Sequence, residues 1–246
     1  MSAPASVDRA LDLLDAVADA PGPVSAKALA RQVGCSLSTV YHLLGPLVAR
    51  GHVLRGPGGY APGPRVPALH RSFRRHQDIG STVAGLLPQV RRATGAEAYL
   101  TTYRDGLITV VDTTTPPASP PDPFAPGPET RAHATAHGKV LLAQLPRAAR
   151  HRYLADHGMA RHTDRTLTDR ARLEAELATV RDRGLAVSVG EADPACCCLA
   201  VPLPGRPHDA PAALSVLLPR QQFPLRHTEA GAVLLRAAAA IPAAPE

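Results

Sequence analysis

The stretch from Pro21 to Gln77 constrains this chain more than any other feature, because it contains no acidic residue at all. Its basic residues give it a charge of +8, whereas the whole chain carries +6, so the remainder is slightly acidic. The stretch must therefore fold as a small unit with a surface of one sign, which is typical of proteins that bind a phosphate backbone. The basic residues are Lys27, Arg31, Arg50, Arg55, Arg65, Arg71, Arg74 and Arg75.

Short helical patterns, each followed by a helix-breaking sequence, occupy this unit. Apolar spacing predicts one helix over Val7–Val17, a second over Ala26–Val33, and a third from a Ser36 cap to Gly51. The next residues, 52–63 (HVLRGPGGYAPG), read as two short strands around a glycine-rich turn. Three helices followed by a hairpin indicate a winged helix-turn-helix.

The third helix of such a unit enters the major groove of DNA, with its early residues against base edges. Hydroxyl, ring and basic groups on it and beside it are therefore the candidate DNA contacts. The alternative is a small three-helix unit whose polar face is merely solvated. The candidates are Lys27, Ser36, Ser38, Thr39, Tyr41, His42 and Arg55.

The rest of the sequence alternates strand and helix patterns, which predicts an α+β domain. A helical region over 65–94 is expected to break where Pro88 begins a new helix. The segment Pro116–Pro128 contains seven prolines and is predicted to be a loop that joins neither sheet nor helix. Strands are predicted at 98–103, 107–112, 185–189, 197–203 and 212–218, and helices at 136–144, 147–157, 169–183 and 225–240.

Several classes of protein are disfavoured by the sequence. Acidic residues within the first helical pattern argue against a secretory signal, and no apolar run is long enough to span a membrane, so we expect a cytoplasmic protein without membrane contact. A phosphate-binding loop ending at Lys139 would need glycine where His133 stands. We therefore expect no cofactor and no enzymatic activity. A thiol- or metal-dependent enzyme using Cys196, Cys197 and Cys198 is an alternative, but buried structural cysteines are favoured.

Nearly the whole chain, roughly Val7 to Pro219, resembles the IclR family of bacterial transcription regulators. The matching patterns are SVDRALDLLDAV, ALARQVGCSLSTVYHLLGPLVARGHV, HATAHGKVLLAQL, HTDRTLTDRARLEAELATVRDRGLAVSVGE, CLAVPL and AALSV, in that order. The resemblance implies a winged helix-turn-helix domain over 1–64, a linker helix over 65–80, and a GAF-like effector-binding and oligomerisation domain over 81–246. It also implies a dimer or tetramer on operator DNA, regulated by a small organic acid or aromatic compound.

The resemblance also implies a set of effector-binding residues. Ser188 stands where the family usually has Asp, Leu217 where a second Ser is common, and His42 where the recognition helix usually has Arg. A regulator with a degenerate pocket, acting through oligomerisation or a protein partner, is therefore a second hypothesis.

His133 and His137 flank the start of the helix at 136, where they indicate either an anion site or a helix cap. The effector-site candidates are Ala136, His137, Gly138, Ser188, Cys198 and Ser215.

Overall fold

A computed structural model of the chain describes residues 5–76, 81–115, 124, 127–205 and 210–241. These residues divide into two compact units. The first contains residues 5–76, and the second contains the described residues from Ser81 onwards. The predicted proline loop lies largely outside the described residues, as do 77–80 of the predicted linker.

The first unit contains the three predicted helices and the hairpin. Ser25 caps α2 and Ser36 caps α3, each accepting a hydrogen bond from a backbone N–H in the first turn. α3 continues through Pro46 to its end, although proline removes one backbone hydrogen bond from a helix. The elements are α1 Ala5–Ala18, α2 Ala26–Val33, α3 Leu37–Ala49, β1 Val53–Gly56, β2 Gly59–Pro62 and α4 Arg65–His76.

One apolar cluster holds these helices and the hairpin together. Leu13 of α1, Leu29 of α2 and Leu44 of α3 are buried in it, and Tyr60 of β2 closes it from the hairpin side. The hairpin approaches the helices so closely at Gly59 that a Cβ there would lie 2.4 Å from the Val24 carbonyl oxygen. The glycine-rich turn is thus required by packing as well as by the turn itself.

Among the residues that the structure describes, the second unit forms a six-stranded antiparallel sheet with helices on both faces. Its strand order is β5-β4-β3-β8-β7-β6, so the sequence-distant strands β3 and β8 meet at the centre. The elements are α5 Ser81–Thr94, β3 Glu97–Arg104, β4 Leu107–Thr113, β5 Gly127–Pro128, a 3₁₀ turn Ala132–Ala134, α6 Ala136–Gln144, α7 Arg147–His157, α8 Arg170–Arg183, β6 Ala186–Val189, β7 Cys196–Leu203, β8 Ala212–Pro219 and α9 Phe223–Ala239.

The alternation of side chains along β7 shows how the two faces are used. Cys198 and Ala200 belong to the apolar cluster beneath α6 and α8. Leu199 points the other way, towards α9, where a Cβ on Gly231 would lie 3.7 Å from its side chain. Helices therefore cover both faces, and the predicted α+β class is confirmed.

Two sequence predictions about proline were wrong. α5 runs without a break through Pro88, because a proline inside a helix costs a hydrogen bond but does not force the helix to end. Gly127 and Pro128 form a short strand that pairs with β4, although the proline segment was expected to stay out of any sheet. β5 is an edge strand, where the missing N–H of proline need not break the ladder.

Candidate functional site

The exposed face of α3 brings together three of the candidate DNA contacts. Ser38, Tyr41 and His42 lie three and four residues apart, which places them on one side of the helix, and all three are exposed. Tyr41 is 49% exposed, an unusual position for an aromatic side chain in a free-standing unit. This face is available to a partner.

The other candidates lie at the start of α3, on α2 and on β1. Ser36 accepts a hydrogen bond from the Thr39 backbone N–H at 3.2 Å, and its Oγ lies 2.8 Å from Thr39 Oγ1. Thr39 is half-buried, whereas Lys27 in the first turn of α2 and Arg55 on β1 are exposed. Ser36 therefore fixes the start of α3, and the two cations are free to meet phosphates.

A second site is built around the start of α6. Thr135 caps this helix by accepting from the Gly138 N–H at 3.2 Å, so the prediction that histidine forms the cap was wrong. Thr135 has the short side-chain oxygen that a cap needs, whereas His133 instead bonds the Ala160 carbonyl oxygen through Nε2 at 2.9 Å. Gly138 packs so tightly on the preceding turn that a Cβ would lie 2.3 Å from Ala132 Cα.

The side chain of His137 is fully buried and occupies the centre of this site. Its Nε2 lies 3.3 Å from a carboxylate oxygen of Glu129, and its Nδ1 lies 3.9 Å from the sulfur of Cys198. The ring of Phe124 meets the imidazole edge-on at a centroid distance of 5.0 Å, and Tyr99 in turn packs edge-on against Phe124. The imidazole is thus held on two sides by polar partners and on a third by an aromatic ring.

His137 and Glu129 form a buried ion pair. Burial alone would lower the pKa of His137, but its contacts with Cys198 and Glu129 outweigh burial and raise the pKa to about 9. Burial likewise opposes ionisation of Glu129, yet the hydrogen bond and charge of His137, assisted by Arg131, lower its pKa to about 2. Both ring nitrogens of the imidazolium then donate, one to the carboxylate and one to the sulfur.

A second buried ion pair anchors the next turn of α6. Lys139 is only 1% exposed, and its Nζ lies 2.7 Å from Glu191 Oε1 and 3.5 Å from Glu176 Oε1. It also donates to the Val187 carbonyl oxygen at 3.4 Å. Lys139 therefore joins α6 to α8 and to the end of β6.

The sheet beneath α6 supplies the floor of the site. Ser188 pairs with Cys198 across β6 and β7, and Ser215 pairs with Ala200 and Tyr99 on the neighbouring strands. Ser188 donates to the Ala134 carbonyl oxygen at 2.7 Å. The structure thus places the predicted residues of α6, β6, β7 and β8 around one point.

Two hydroxyls on this floor lack partners. Thr101 and Ser215 are fully buried, and within the described residues neither side-chain oxygen has a hydrogen-bond partner. Both lie on the face of the sheet that carries Tyr99, because Thr101 follows Tyr99 by two residues and Ser215 pairs with it. A buried hydroxyl without a partner costs about 1–3 kcal/mol, so the site offers two unused polar groups to a small guest.

Sequence reasoning missed several residues of the site, namely Tyr99, Thr101, Phe124, Glu129 and the capping Thr135. Glu129 supplies a carboxylate to a site whose usual acid is replaced at Ser188. One signal could have found it, since no other acidic residue lies between Asp122 and Asp156. Nothing in the local pattern around Phe124 or Thr101 connects them to α6.

Comparison with known proteins identifies relatives of both units. The profile of the bacterial transcriptional regulator IclR C-terminal domain matches residues 72–243, and that of the IclR helix-turn-helix domain matches residues 6–57. The HTH-type transcriptional regulator BhcR of Paracoccus denitrificans is 30% identical over 213 residues, which are 86% of this chain and 76% of that protein.

Solved structures share the architecture of both units. The Thermotoga maritima IclR structure has a TM-score of 0.76 at 25% identity and covers 95% of this chain and 96% of its own. An IclR homologue from Microbacterium hydrocarbonoxydans, solved with 4-hydroxybenzoate, has a TM-score of 0.69 at 19% identity and covers 96% of both chains. The curated relative BhcR is named as a transcriptional regulator. The family profiles together account for most of the sequence, and the chain belongs to the IclR family of transcriptional regulators.

Proposed function

We propose that this regulator binds operator DNA as a homodimer or tetramer and that a small organic acid or aromatic compound controls that binding. In this proposal residues 1–64 bind DNA, 65–80 form a linker helix, and 81–246 bind the effector and oligomerise. The protein works in the cytoplasm, in keeping with the finding that no helix among the described residues is long and apolar enough to cross a bilayer.

The observation that carries the DNA-binding role is the exposed polar face of α3 within a unit whose acid-free stretch has a charge of +8. Ser38, Tyr41 and His42 present hydroxyl and imidazole groups, which suit base edges and phosphates. Lys27 on α2 and Arg55 on β1 add exposed cations to the same unit. Two such faces, related by the two-fold axis of a dimer, would recognise a pseudo-palindromic operator.

The effector role is supported by the site at the start of α6. Thr101 and Ser215, whose hydroxyls have no partner among the described residues, offer hydrogen bonds, and Tyr99 and Phe124 offer aromatic contact. The relative solved with 4-hydroxybenzoate makes this compound a suitable first probe. An effector that binds one arrangement of the regulator more tightly than another would shift the population towards it and so change the affinity for DNA.

Salt-dependent footprinting on fragments from the chromosomal region around the gene tests the DNA-binding role. A variant with both Thr39→Ala and His42→Ala should lose the specific footprint while keeping weak binding to all fragments. Arg55→Ala should lower affinity on every fragment and reduce the slope of log K against log salt by about 0.9, the contribution of one phosphate contact. Arg172→Ala removes another exposed charge, from α8 of the second unit, and should change neither quantity.

Equal, salt-sensitive binding of the parent protein to all fragments would contradict the proposal of a specific operator.

Effector control is tested by titrating 4-hydroxybenzoate and small carboxylic acids against the operator complex, with their occupancy measured independently by calorimetry. Unchanged operator affinity at full occupancy would refute control by those compounds. A regulator that acts through oligomerisation or a protein partner would then be the better description.

A further inference from the structure

We propose that α3 reads the 5-methyl group of a thymine in the major groove, through an apolar surface formed by Leu37 and Tyr41. The inference rests on the DNA-binding role proposed above and specifies which base that role selects and through which chemical group. Leu37 is not among the DNA contacts predicted from the sequence.

The composition of α3 leaves few ways to tell one base from another. The usual side chains for direct readout are Arg or Lys for guanine, Asn or Gln for adenine, and Asp or Glu for cytosine. α3, with the sequence LSTVYHLLGPLVA, contains none of these six. A serine hydroxyl serves more than one base, and the imidazole of His42 donates or accepts according to its tautomer. Polar contacts from α3 therefore do not single out a base.

An apolar surface on α3 supplies the selectivity that its polar groups lack. Leu37 is the first residue of the helix and Tyr41 follows it by four positions, so their side chains are neighbours on the helix surface. Leu37 is 42% exposed and Tyr41 is 49% exposed. In a helix-turn-helix the N-terminal residues of this helix contact base edges. Leu37 and Tyr41 occupy its first two turns, where base edges are within reach.

Packing within the first unit does not account for these two exposed side chains. Val40 and Leu44, which are also four residues apart on α3, are buried in the apolar cluster that holds the helices together. Leu37 and Tyr41 are not part of that cluster. Two large apolar side chains left side by side in water forgo the free energy that their burial would release. A partner surface that covers them recovers it.

DNA suits this surface better than a second copy of the same unit does. The stretch Pro21–Gln77, which contains α3, carries +8 and no acidic residue, so two such units repel each other, whereas DNA phosphates attract them. Among the bases only thymine presents a methyl group in the major groove, beside its O4 acceptor. Ser38, which is exposed and lies between Leu37 and Tyr41 in the sequence, has a hydroxyl that can donate to such an acceptor. The edge of thymine therefore matches the apolar pair and the donor on α3.

The test begins with the selection of a preferred sequence from random DNA duplexes by the full chain, so that no genomic operator is needed. Each thymine of that sequence is then replaced in turn by deoxyuridine, which lacks only the methyl group. At one thymine of each half-site we expect deoxyuridine to raise the Kd by about fourfold, the effect of losing one buried methyl group. Replacement of the other thymines should have little effect.

Variants of the protein then identify the side chains that contact the methyl group. Leu37→Ala should lose most of the difference in Kd between thymine and deoxyuridine, because the methyl group no longer has its apolar partner. Leu54→Ala is the matched control, since Leu54 is 52% exposed on β1 of the same unit, and it should keep the full difference. Tyr41→Phe should also keep it, because this variant retains the aromatic ring and loses only the hydroxyl. A Tm equal to that of the parent shows that each variant is folded.

Three results would overturn the inference while the DNA-binding function stands. They are a preferred sequence in which no thymine responds to deoxyuridine, a difference in Kd that persists unchanged in Leu37→Ala, and a difference that is lost in Leu54→Ala instead. In each case a preferred sequence has been found, so only the assignment of the thymine contact to Leu37 and Tyr41 fails. A selection that yields no preferred sequence would overturn both the inference and the proposal of a specific operator.

Discussion

Replacement of Gly138 by alanine should strongly destabilise the second unit, although alanine is the better helix former. A Cβ at this position would lie 2.3 Å from Ala132 Cα and 2.4 Å from the Ala132 carbonyl oxygen. Carbon atoms in ordinary contact are about 3.5–4.0 Å apart, so the 3₁₀ turn would have to move by more than an ångström. The atoms in the way are backbone atoms, which cannot rotate aside.

The magnitude follows from two opposing effects. Alanine gains about 1 kcal/mol over glycine inside a helix, whereas overpacking costs typically 1–3 kcal/mol and sometimes more. Because the clash at Gly138 is with rigid backbone, we expect an overpacking cost of about 4 kcal/mol, above the typical range, and hence a net loss of about 3 kcal/mol. For a domain of 150–250 residues this corresponds to a drop in Tm of roughly 6–12 °C.

Differential scanning calorimetry of the full chain measures this effect. Gly231→Ala is the matched control, since Gly231 also lies within a helix of the second unit but a Cβ there would meet only side-chain atoms at 3.5 and 3.7 Å. We expect Gly231→Ala to leave Tm unchanged or to raise it by a few degrees. A Tm for Gly138→Ala within about 2 °C of the parent would refute the steric argument.

Three further predictions concern other parts of the structure. The raised pKa of His137, about 9 against 6.5, should contribute stability that is complete below pH 6.5 and is lost as pH rises through 9, by roughly 3 kcal/mol. The lowered pKa of Glu129, about 2 against 4.5, should contribute stability that is present above pH 4.5 and is lost as pH falls towards 2. The urea concentration at the unfolding midpoint should therefore be highest between about pH 4.5 and 6.5. The loss of stability above pH 6.5 should be smaller in His137→Gln than in the parent protein. An equal loss in the variant and the parent would contradict this. Arg150→Lys should cost about 1–3 kcal/mol, because Arg150 holds both Glu174 oxygens at 2.8 Å with two guanidinium nitrogens, and an unchanged urea midpoint would refute it. Leu44→Ala, which empties a buried position between the helices of the first unit, should cost about 2–5 kcal/mol in that unit's calorimetric transition and leave the other transition unchanged.

Most helices and strands could be predicted from the sequence because local signals define their ends. Ser36 caps α3 as expected, Ser25 caps α2 in the same way, and Gly184 ends α8 in the left-handed conformation that glycine favours. Asp169 was expected within α8 and instead caps it, a difference of one residue. Such signals lie within a few residues of the element that they end.

The contents of the candidate site could be predicted only in part. The family patterns indicate His137 and Cys198, but not that their side chains approach each other across 61 positions of sequence. Glu129 follows a proline-rich segment and lies next to His137 only because β5 pairs with β4 and directs the chain towards α6. Contacts of this kind depend on the tertiary arrangement of several elements, which no local periodicity records.

The burial of Lys139 restricts how this protein can evolve. Loss of Lys139 alone would leave the buried Glu191 carboxyl group without its cation, at a cost of about 3–5 kcal/mol. Loss of Glu191 alone would leave the buried ammonium with only the more distant carboxylate of Glu176, 3.5 Å away. A typical domain has only 5–15 kcal/mol of stability in total. Lineages that abandon this pair must therefore change both positions in close succession or acquire a stabilising substitution first, and the two residues should covary among descendants of this chain.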